Sequence, residues 1–298
     1  RRIVTTDFNL DDLNEGEIIA EIESFAFTSN NVTYGVAGDM MGYWQFFPTT
    51  EDPGNIWGCI PMWGFSKIKY SNNKEINAGE RLFGYFPASN ILTLQPINIS
   101  KKTFTDGQKH REKLPPVYNN YIRLDNEDNY NKDNDKIRAL LFPLHITSFC
   151  LCDYLQNEDY LGAQQVIIVS ASSKTAIGFA QGLKIEKNKP QIIGLTSERN
   201  LDFVKELNSY DHVFSYGQLN EVNMNASAII VDMAGNREIL GTLHNSLGNN
   251  LIKCLKVGMT HWDNETTADD VMGQLMNRDR TEFFFAPDHI QKRIIDWG

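Results

Sequence analysis

The sequence predicts an α/β protein: a β-rich, barrel-like domain over residues 1–136, then a doubly wound parallel sheet over residues 137–298. Three observations predict it. Short alternating apolar segments separated by turn residues fill the first hundred positions, as in a small barrel. From Ile137 onward, short apolar runs alternate with helical stretches, the order of a parallel sheet covered on both faces. Within that second part, Gln164–Leu183 (QQVIIVSASSKTAIGFAQGL) runs strand, small-residue turn, helix start.

In the first part, Glu17–Phe27 alternates apolar and polar residues as a half-buried strand does, after a turn at Leu13–Gly16. Thr28–Asn31 breaks the strand and suits the cap of a short helix. Val32–Pro48 is rich in glycine and aromatic residues without a clean period, and reads as a loop or short helix. Trp57–Tyr70 ends in a strand. A turn at Asn77–Arg81 leads into a strand at Leu82–Phe86, and Ile91–Ile99 alternates again. Trp44, Phe46, Phe47, Trp57 and Trp63 suit either a barrel core or the lining of an apolar substrate pocket. Residues 101–136 turn polar, and LDNEDNYNKDNDK reads as an exposed, mobile loop whose charges form a solvated face.

In the second part, Ile137–Tyr154 is an apolar helical stretch interrupted by Pro143, with His145 expected to be buried and hydrogen-bonded. Strands are expected at Val166–Val169, Gln191–Thr196, Val213–Tyr216, Ala228–Met233, Leu251–Gly258 and Thr281–Ala286. Helices are expected at Ala176–Leu183, Glu198–Asn208, Asn236–Leu247 and Asp288–Trp297. Ligands of such sheets sit at the carboxyl ends of the strands.

Composition narrows the function. The chain has 298 residues, is 41% hydrophobic and 22% charged, and carries a net charge of −10. This is globular composition, and the negative balance disfavours nucleic acid or an anionic membrane as partner. The longest apolar run, Ala139–Leu144, is far too short to span a membrane. RRIVTTDFNL lacks the apolar core of a signal peptide, and the missing initiator Met is what a trimmed N-terminus leaves. Cys59, Cys150, Cys152 and Cys254 form no CxxC pair and no zinc-spaced cluster, so free thiols in a reducing cytoplasm are expected.

The chemistry concentrates after Val169. Backbone N–H groups and the positive end of a helix dipole would face the turn Ser170–Thr175, making an anion site. Ser172, Ser173 and Thr175 add hydroxyl donors and Lys174 a full charge, although Lys174 equally reads as a surface residue. The turn has no glycine before Gly178, unlike the dinucleotide fingerprint. A phosphoryl-transfer P-loop is excluded at Ser173-Lys174-Thr175 because both motif glycines are missing, and no Gly-x-Ser-x-Gly marks a serine hydrolase.

This order of β-rich domain, apolar helix, strand, small-residue turn, helix, strand ending in Thr-Ser, and Val-Asp-x-x-Gly resembles the medium-chain dehydrogenase/reductase superfamily. It is most similar to the zinc-free quinone oxidoreductase and enoyl-thioester reductase branch. SASSKTA together with NNVTYGVAGDMMGYWQFFP resembles the DUF2855 family more specifically. The resemblance implies a GroES-like catalytic domain followed by a Rossmann domain. The chain stops about where its relatives return to the catalytic domain, which is the expectation for an incomplete C-terminus. Zinc-dependent members carry Gly-His-Glu and a cysteine-rich lobe. Here WGCIPMWGF stands instead, and Cys59 alone cannot build a three-ligand zinc site, so no metal is expected.

The resemblance also implies a nicotinamide cofactor. The second strand ends Leu195-Thr196-Ser197-Glu198-Arg199, with Thr196 and Ser197 where NAD sites carry an acid and Arg199 two residues beyond. Hydroxyls and a guanidinium suit a 2′-phosphate, so NADP(H) is expected over NAD, with Glu198 the competing acid and Arg199 equally readable as an exposed helix residue. Tyr216 resembles the position flanking the adenine, and equally reads as packing at the sheet edge. Gly235 would let the nicotinamide half approach the backbone, and Asp232 beside it suits a helix cap. Gly258, with Met259 and Thr260, resembles the strand end lining the nicotinamide. In the enoyl-thioester branch a Tyr of a Gly-x-Tyr segment serves near the substrate. Tyr43 fits that placement and Tyr34 is a second candidate, although in a chain with eleven Tyr and seventeen Phe each equally reads as packing, and Asn30 and Asn31 stand where polar groups flank the nicotinamide.

The expected activity is reduction of an activated C=C or C=O group, in an enone, quinone or acyl thioester, by a chain that pairs with a second copy as a possible homodimer. The competing expectation is a nucleotide-binding or assembly protein that keeps the fold without catalysis.

Overall fold

The computed structural model describes residues 10–49, 57–258 and 275–297. The chain divides into two compact units, Arg1–Leu140 and Leu141–Gly298.

The first unit is a curled antiparallel sheet. Its strands are β1 (Ile18–Phe25), β2 (Met62–Ser71), β3 (Arg81–Phe86), β4 (Ile91–Leu94), β5 (Pro96–Ile97), β6 (Thr103–Asp106) and β7 (Asn120–Arg123), in the spatial order β4-β1-β2-β3-β7-β6-β5. The two outermost strands, β4 and β5, are separated in sequence only by Gln95. A sheet whose opposite edges are one residue apart has curled almost shut, which is the barrel expected from the alternating segments. Ile18, Ala20, Ile68, Leu82, Phe86, Leu94, Phe104 and Tyr121 fill it. The helix α1 (Ser29–Val36) follows β1, where the sequence placed a cap. Thr28 Oγ1 accepts from the Asn30 amide at 3.2 Å, and Asn31 Oδ1 accepts from the Thr28 amide at 2.7 Å, the reciprocal pair of a capping box.

Strands β6 and β7 lie inside the stretch that composition presents as polar linker. Each is four residues long, too short to show a period of two. They pair Thr103 with Ile122 and Phe104 with Tyr121, and the Phe104 and Tyr121 rings stack with centroids 5.4 Å apart. The acidic run after β7 is also anchored. Glu127 bonds Arg138, while Tyr130 and Asp135 both bond Arg81.

A buried ion pair ties the β5–β7 end together. Arg111 and Asp106 are each 1% exposed and 2.8 Å apart. The remaining Arg111 donors reach Asn119 Oδ1, the Tyr121 hydroxyl and the Tyr118 carbonyl, while Asp106 Oδ1 accepts the amides of Gln95 and Gln108. Every arm of the guanidinium is therefore used, the condition under which a buried charge is tolerated.

The helix α2 (Asp135–Asn157) runs through Pro143 without ending, contrary to the expected interruption. Proline removes one helical donor, and a 23-residue helix with an apolar face tolerates that loss. His145 on this helix is exposed rather than buried. Two helical turns are sealed by hydroxyls, from Thr147 to the Pro143 carbonyl and from Ser148 to that of Leu144.

The second unit is a six-stranded parallel sheet: β8 (Gln165–Val169), β9 (Gln191–Thr196), β10 (His212–Ser215), β11 (Ala228–Asp232), β12 (Leu251–Lys256) and β13 (Thr281–Phe283). Its helices are α3 (Lys174–Ile185), α4 (Leu201–Glu206), α5 (Arg237–Leu247) and α6 (Ala286–Trp297). The residues of β8 alternate between two cores, Val166 and Ile168 in one and Ile167 and Val169 in the other. Burial on both faces is why the strand reads as an unbroken apolar run. The packing of α3 on α2 depends on glycine. A Cβ at Gly178 would stand 2.8 Å from Ser148 Oγ, and one at Gly182 would stand 2.5 Å from Cys152 Sγ.

Two expectations follow. Asp106→Ala strands the Arg111 charge and is expected to cost about 3–5 kcal/mol of stability in urea unfolding, against a smaller loss for exposed substitutions. Separately, buried His244 accepts the Asn277 amide on Nδ1 at 3.0 Å, and burial lowers its pKa. The unfolded chain therefore binds more protons, so stability is full above the ordinary histidine pKa of about 6.5 and is lost as pH falls through it. Thermal melts from about pH 7 down to pH 5 should show this slope, and His244→Asn, which keeps an acceptor, should flatten it.

Candidate functional site

In sheet order the parallel strands run β10-β9-β8-β11-β12-β13, which numbered within this unit is 3-2-1-4-5-6. The connection direction reverses between β8 and β11, and ligands of such sheets bind outside the carboxyl ends of the strands at that reversal. The small-residue turn leaves β8 at that point.

The turn is built without glycine. Ser170 adopts φ +65°, the left-handed conformation for which the fingerprint uses glycine. The Ser173 amide donates to the Ser170 carbonyl at 2.9 Å and closes the turn. Ser173 caps α3, its hydroxyl accepting the Ala176 amide at 3.3 Å. The amides of Ser172, Lys174 and Thr175 have no partner among the described residues, and the positive end of α3 lies with them. Ser172 Oγ accepts from Asn200 Nδ2 at 3.0 Å, which joins this turn to the loop after β9.

Other expected positions gather at the same strand ends. Lys174 and Arg199 are exposed, and neither has an ion-pair partner among the described residues. Ser197 is half-buried, whereas Thr196 is 1% exposed with a hydroxyl that has no partner among the described residues. Thr196 is thus placed for packing rather than for reaching a ligand. Tyr216 sits beside the turn. Burial raises its phenol pKa, while the amide and hydroxyl of Ser170, facing the phenol oxygen, pull it down.

On the other side of the reversal, Gly235 has φ +79°, and its amide donates to the Asp232 carboxylate at 2.9 Å. Asp232 caps its own turn, through the Ala234 and Gly235 amides, and Asn236 caps α5. A Cβ at Gly258 would stand 2.3 Å from the Met233 carbonyl, so only glycine lets the ends of β11 and β12 run so close. Met259 and Thr260 lie outside the described residues.

In the first unit, Tyr34 and Tyr43 come together, with ring centroids 4.6 Å apart. They lie in an aromatic cluster with Phe46, Trp63, Tyr85 and Tyr118, and are 4% and 3% exposed. The Tyr43 and Tyr118 hydroxyls are 3.1 Å apart, and Tyr34 accepts from Asn30 Nδ2 at 2.7 Å. Burial pushes the Tyr43 phenol up to about 12 despite the Tyr118 hydrogen bond, and raises Tyr34 further. Both phenols therefore hold their protons at physiological pH. Asn31 is spent on structure: Oδ1 completes the cap of α1, and Nδ2 donates to the Pro61 carbonyl at 3.0 Å. Of the five tested aromatics, Phe46, Phe47 and Trp63 are buried, Trp44 is half-buried and Trp57 is exposed.

Sequence reasoning missed Tyr118, Asn200 and Tyr210. Each acts through a contact distant in sequence and carries no spacing signal. For Tyr210 the one available clue is Gly194, whose missing side chain makes room for its ring.

Three of the four cysteines are buried and Cys59 is half-buried, all as free thiols. Among the described residues, no group of three His, Cys, Asp or Glu is placed to hold a metal ion, and no helix is long and apolar enough to cross a membrane.

Residues 25–298 match the family described as "Protein of unknown function (DUF2855)". No curated protein matches the chain. Among solved structures, the fold is similar to that of CurA from Vibrio vulnificus in complex with NADPH, at 13% identity over 99% of this chain and 79% of that one, with a TM-score of 0.59. It is also similar to a proposed NADPH:quinone reductase from Bacillus thuringiensis, at 11% identity over 97% and 77% of the two chains and a TM-score of 0.53. A third is a proposed NADPH:quinone reductase from Mesorhizobium loti, at 13% identity over 95% and 74% and a TM-score of 0.54. At these identities the likeness establishes the fold, a GroES-like barrel and a Rossmann sheet.

Tyr43→Phe leaves the buried Tyr118 hydroxyl without its 3.1 Å partner. It is expected to cost about 1 kcal/mol in urea unfolding, with the circular dichroism spectrum unchanged.

Proposed function

The chain belongs to the DUF2855 family and has the medium-chain dehydrogenase/reductase fold, and on that premise we propose that it is a zinc-independent, NADP(H)-dependent oxidoreductase of a small molecule. The observation that carries the proposal is the position of the Ser170–Thr175 turn at the reversal of a 3-2-1-4-5-6 sheet. That crevice takes dinucleotides in this architecture, and the structural relatives named above include one solved with NADPH.

The residues fit the group. The free amides of Ser172, Lys174 and Thr175 suit its diphosphate, with the Ser173 hydroxyl spent on the helix cap. Lys174 adds charge, and exposed Arg199 after β9 suits a 2′-phosphate, which NAD lacks. Tyr216 and Ser197 border the adenine side of the same strand ends. Gly235, at φ +79°, and Gly258, packed on the Met233 carbonyl, stand at the strand ends proposed for the nicotinamide half. Thr196 is not assigned a contact.

When bound, the cofactor supplies a hydride. The part of the chain is to fix orientation and provide a proton donor. Tyr43 and Tyr34 are the proposed donors: each phenol keeps its proton and can bond an oxygen on which negative charge develops. The proposed substrate class is an activated C=C or C=O compound such as an enone, quinone or acyl thioester. A possible homodimer and a cytoplasmic location belong to the same reading.

A second reading has one observation in its favour. Tyr34 and Tyr43 are buried among other aromatics, and Asn31 is committed to a cap, so the fold could serve nucleotide binding or assembly without turnover. Turnover of a quinone or enone with NADPH separates the two readings.

Arg199→Ala should weaken NADPH binding about tenfold or more while leaving NADH little changed, since one charged hydrogen bond to phosphate contributes about 1.5–3 kcal/mol. Lys174→Ala should weaken both nucleotides. Calorimetric titration checks this, and equal affinities in wild type and both variants would remove the phosphate assignments.

A further inference from the structure

A turn without glycine needs something else to hold its shape, and here Ala171 is gripped at both ends of the residue. Its amide donates to the Leu195 carbonyl in β9 at 2.9 Å, and its carbonyl accepts the Tyr210 hydroxyl at 2.7 Å. Ala171 is fully buried and Tyr210 nearly so. The Tyr210 ring reaches this carbonyl across Gly194 of β9. A Cβ at Gly194 would stand 2.8 Å from the ring and 3.2 Å from Ala171 Cβ, so any other residue there would push against both. Burial raises the phenol pKa, so the hydroxyl stays a donor throughout the physiological range.

We propose that Tyr210 is a positioning residue for the nucleotide diphosphate, its hydroxyl fixing the Ala171 carbonyl so that the amides of Ser172, Lys174 and Thr175 are aimed before ligand arrives. In a glycine-rich turn, backbone shape alone allows the close approach. In this chain Ser170 takes the left-handed conformation, and a buried phenol from behind holds the next residue. Tyr210 touches neither phosphate nor substrate. It acts by preorganisation, which lowers the ordering cost of binding. The inference rests on the NADP(H) reading above.

The test compares two probes on wild type and Tyr210→Phe, which keeps the ring and removes the hydroxyl. NADPH carries the diphosphate, whereas adenosine 2′-monophosphate carries the adenine and 2′-phosphate alone. Tyr210→Phe is expected to weaken NADPH about tenfold, the equivalent of one lost hydrogen bond, and to leave adenosine 2′-monophosphate unchanged. Unchanged NADPH affinity, or equal weakening of both probes, would overturn the proposal, the second outcome marking a general loosening. A wild-type measurement covers the case in which the variant does not fold. Hydrogen exchange should show the Ala171 and Ser173 amides protected before NADPH is added, and protection that arises only with NADPH would overturn it. If wild type binds no NADPH, the proposal falls together with the functional reading, and that failure is recognisable because no substitution is involved.

Discussion

The α/β unit depends on how one residue, Ala171, is held. Its amide and carbonyl are both bonded to buried partners, one from β9 and one from Tyr210 just ahead of β10. Those two bonds tie the exit of β8 to its neighbours and let Ser170 keep a left-handed conformation that costs a non-glycine residue about 1–2 kcal/mol. From there the geometry propagates outward. Ser173 caps α3 and Ser172 engages Asn200, which joins the turn to the loop that carries exposed Arg199. A turn made this way relies on side-chain packing for what the dinucleotide fingerprint obtains from glycine.

The first unit shows the same economy with different groups. Polar residues hold the chain: Asn31, a candidate from the sequence, closes a capping box and reaches Pro61, while the capacity of buried Arg111 is divided among Asp106, Asn119, Tyr121 and Tyr118. Tyr34 and Tyr43 are packed in the same way, inside an aromatic cluster in which burial raises both phenol pKa values.

Much of this was legible beforehand because local pattern and global fold agree. Val166–Val169 reads as a buried strand since both its faces meet apolar cores, and Thr28–Asn31 reads as a cap since its side chains serve its own backbone. Legibility fails where a contact skips along the chain. Strands β6 and β7 hide in a polar stretch because each has too few apolar residues to show a period, and their stability comes from pairing. Pro143 reads as an interruption of the helix, yet the packing of the α2 face outweighs one missing donor. Tyr210 is thirty-nine residues from its partner, and nothing in its neighbours announces it. At Thr196 the pattern marks the strand end but carries no signal of side-chain direction, and the hydroxyl is buried.

The central claim is that the β8 turn, with Lys174 and Arg199, forms a site for a 2′-phosphorylated nicotinamide dinucleotide. The most direct measurement is calorimetric titration of the wild-type protein with NADPH and, separately, with NADH. Such a site gives saturable one-site binding of NADPH and binding of NADH at least tenfold weaker, a gap of about 1.4 kcal/mol or more. Equal affinity for the two would contradict the role of Arg199, and no binding of either would contradict the site itself.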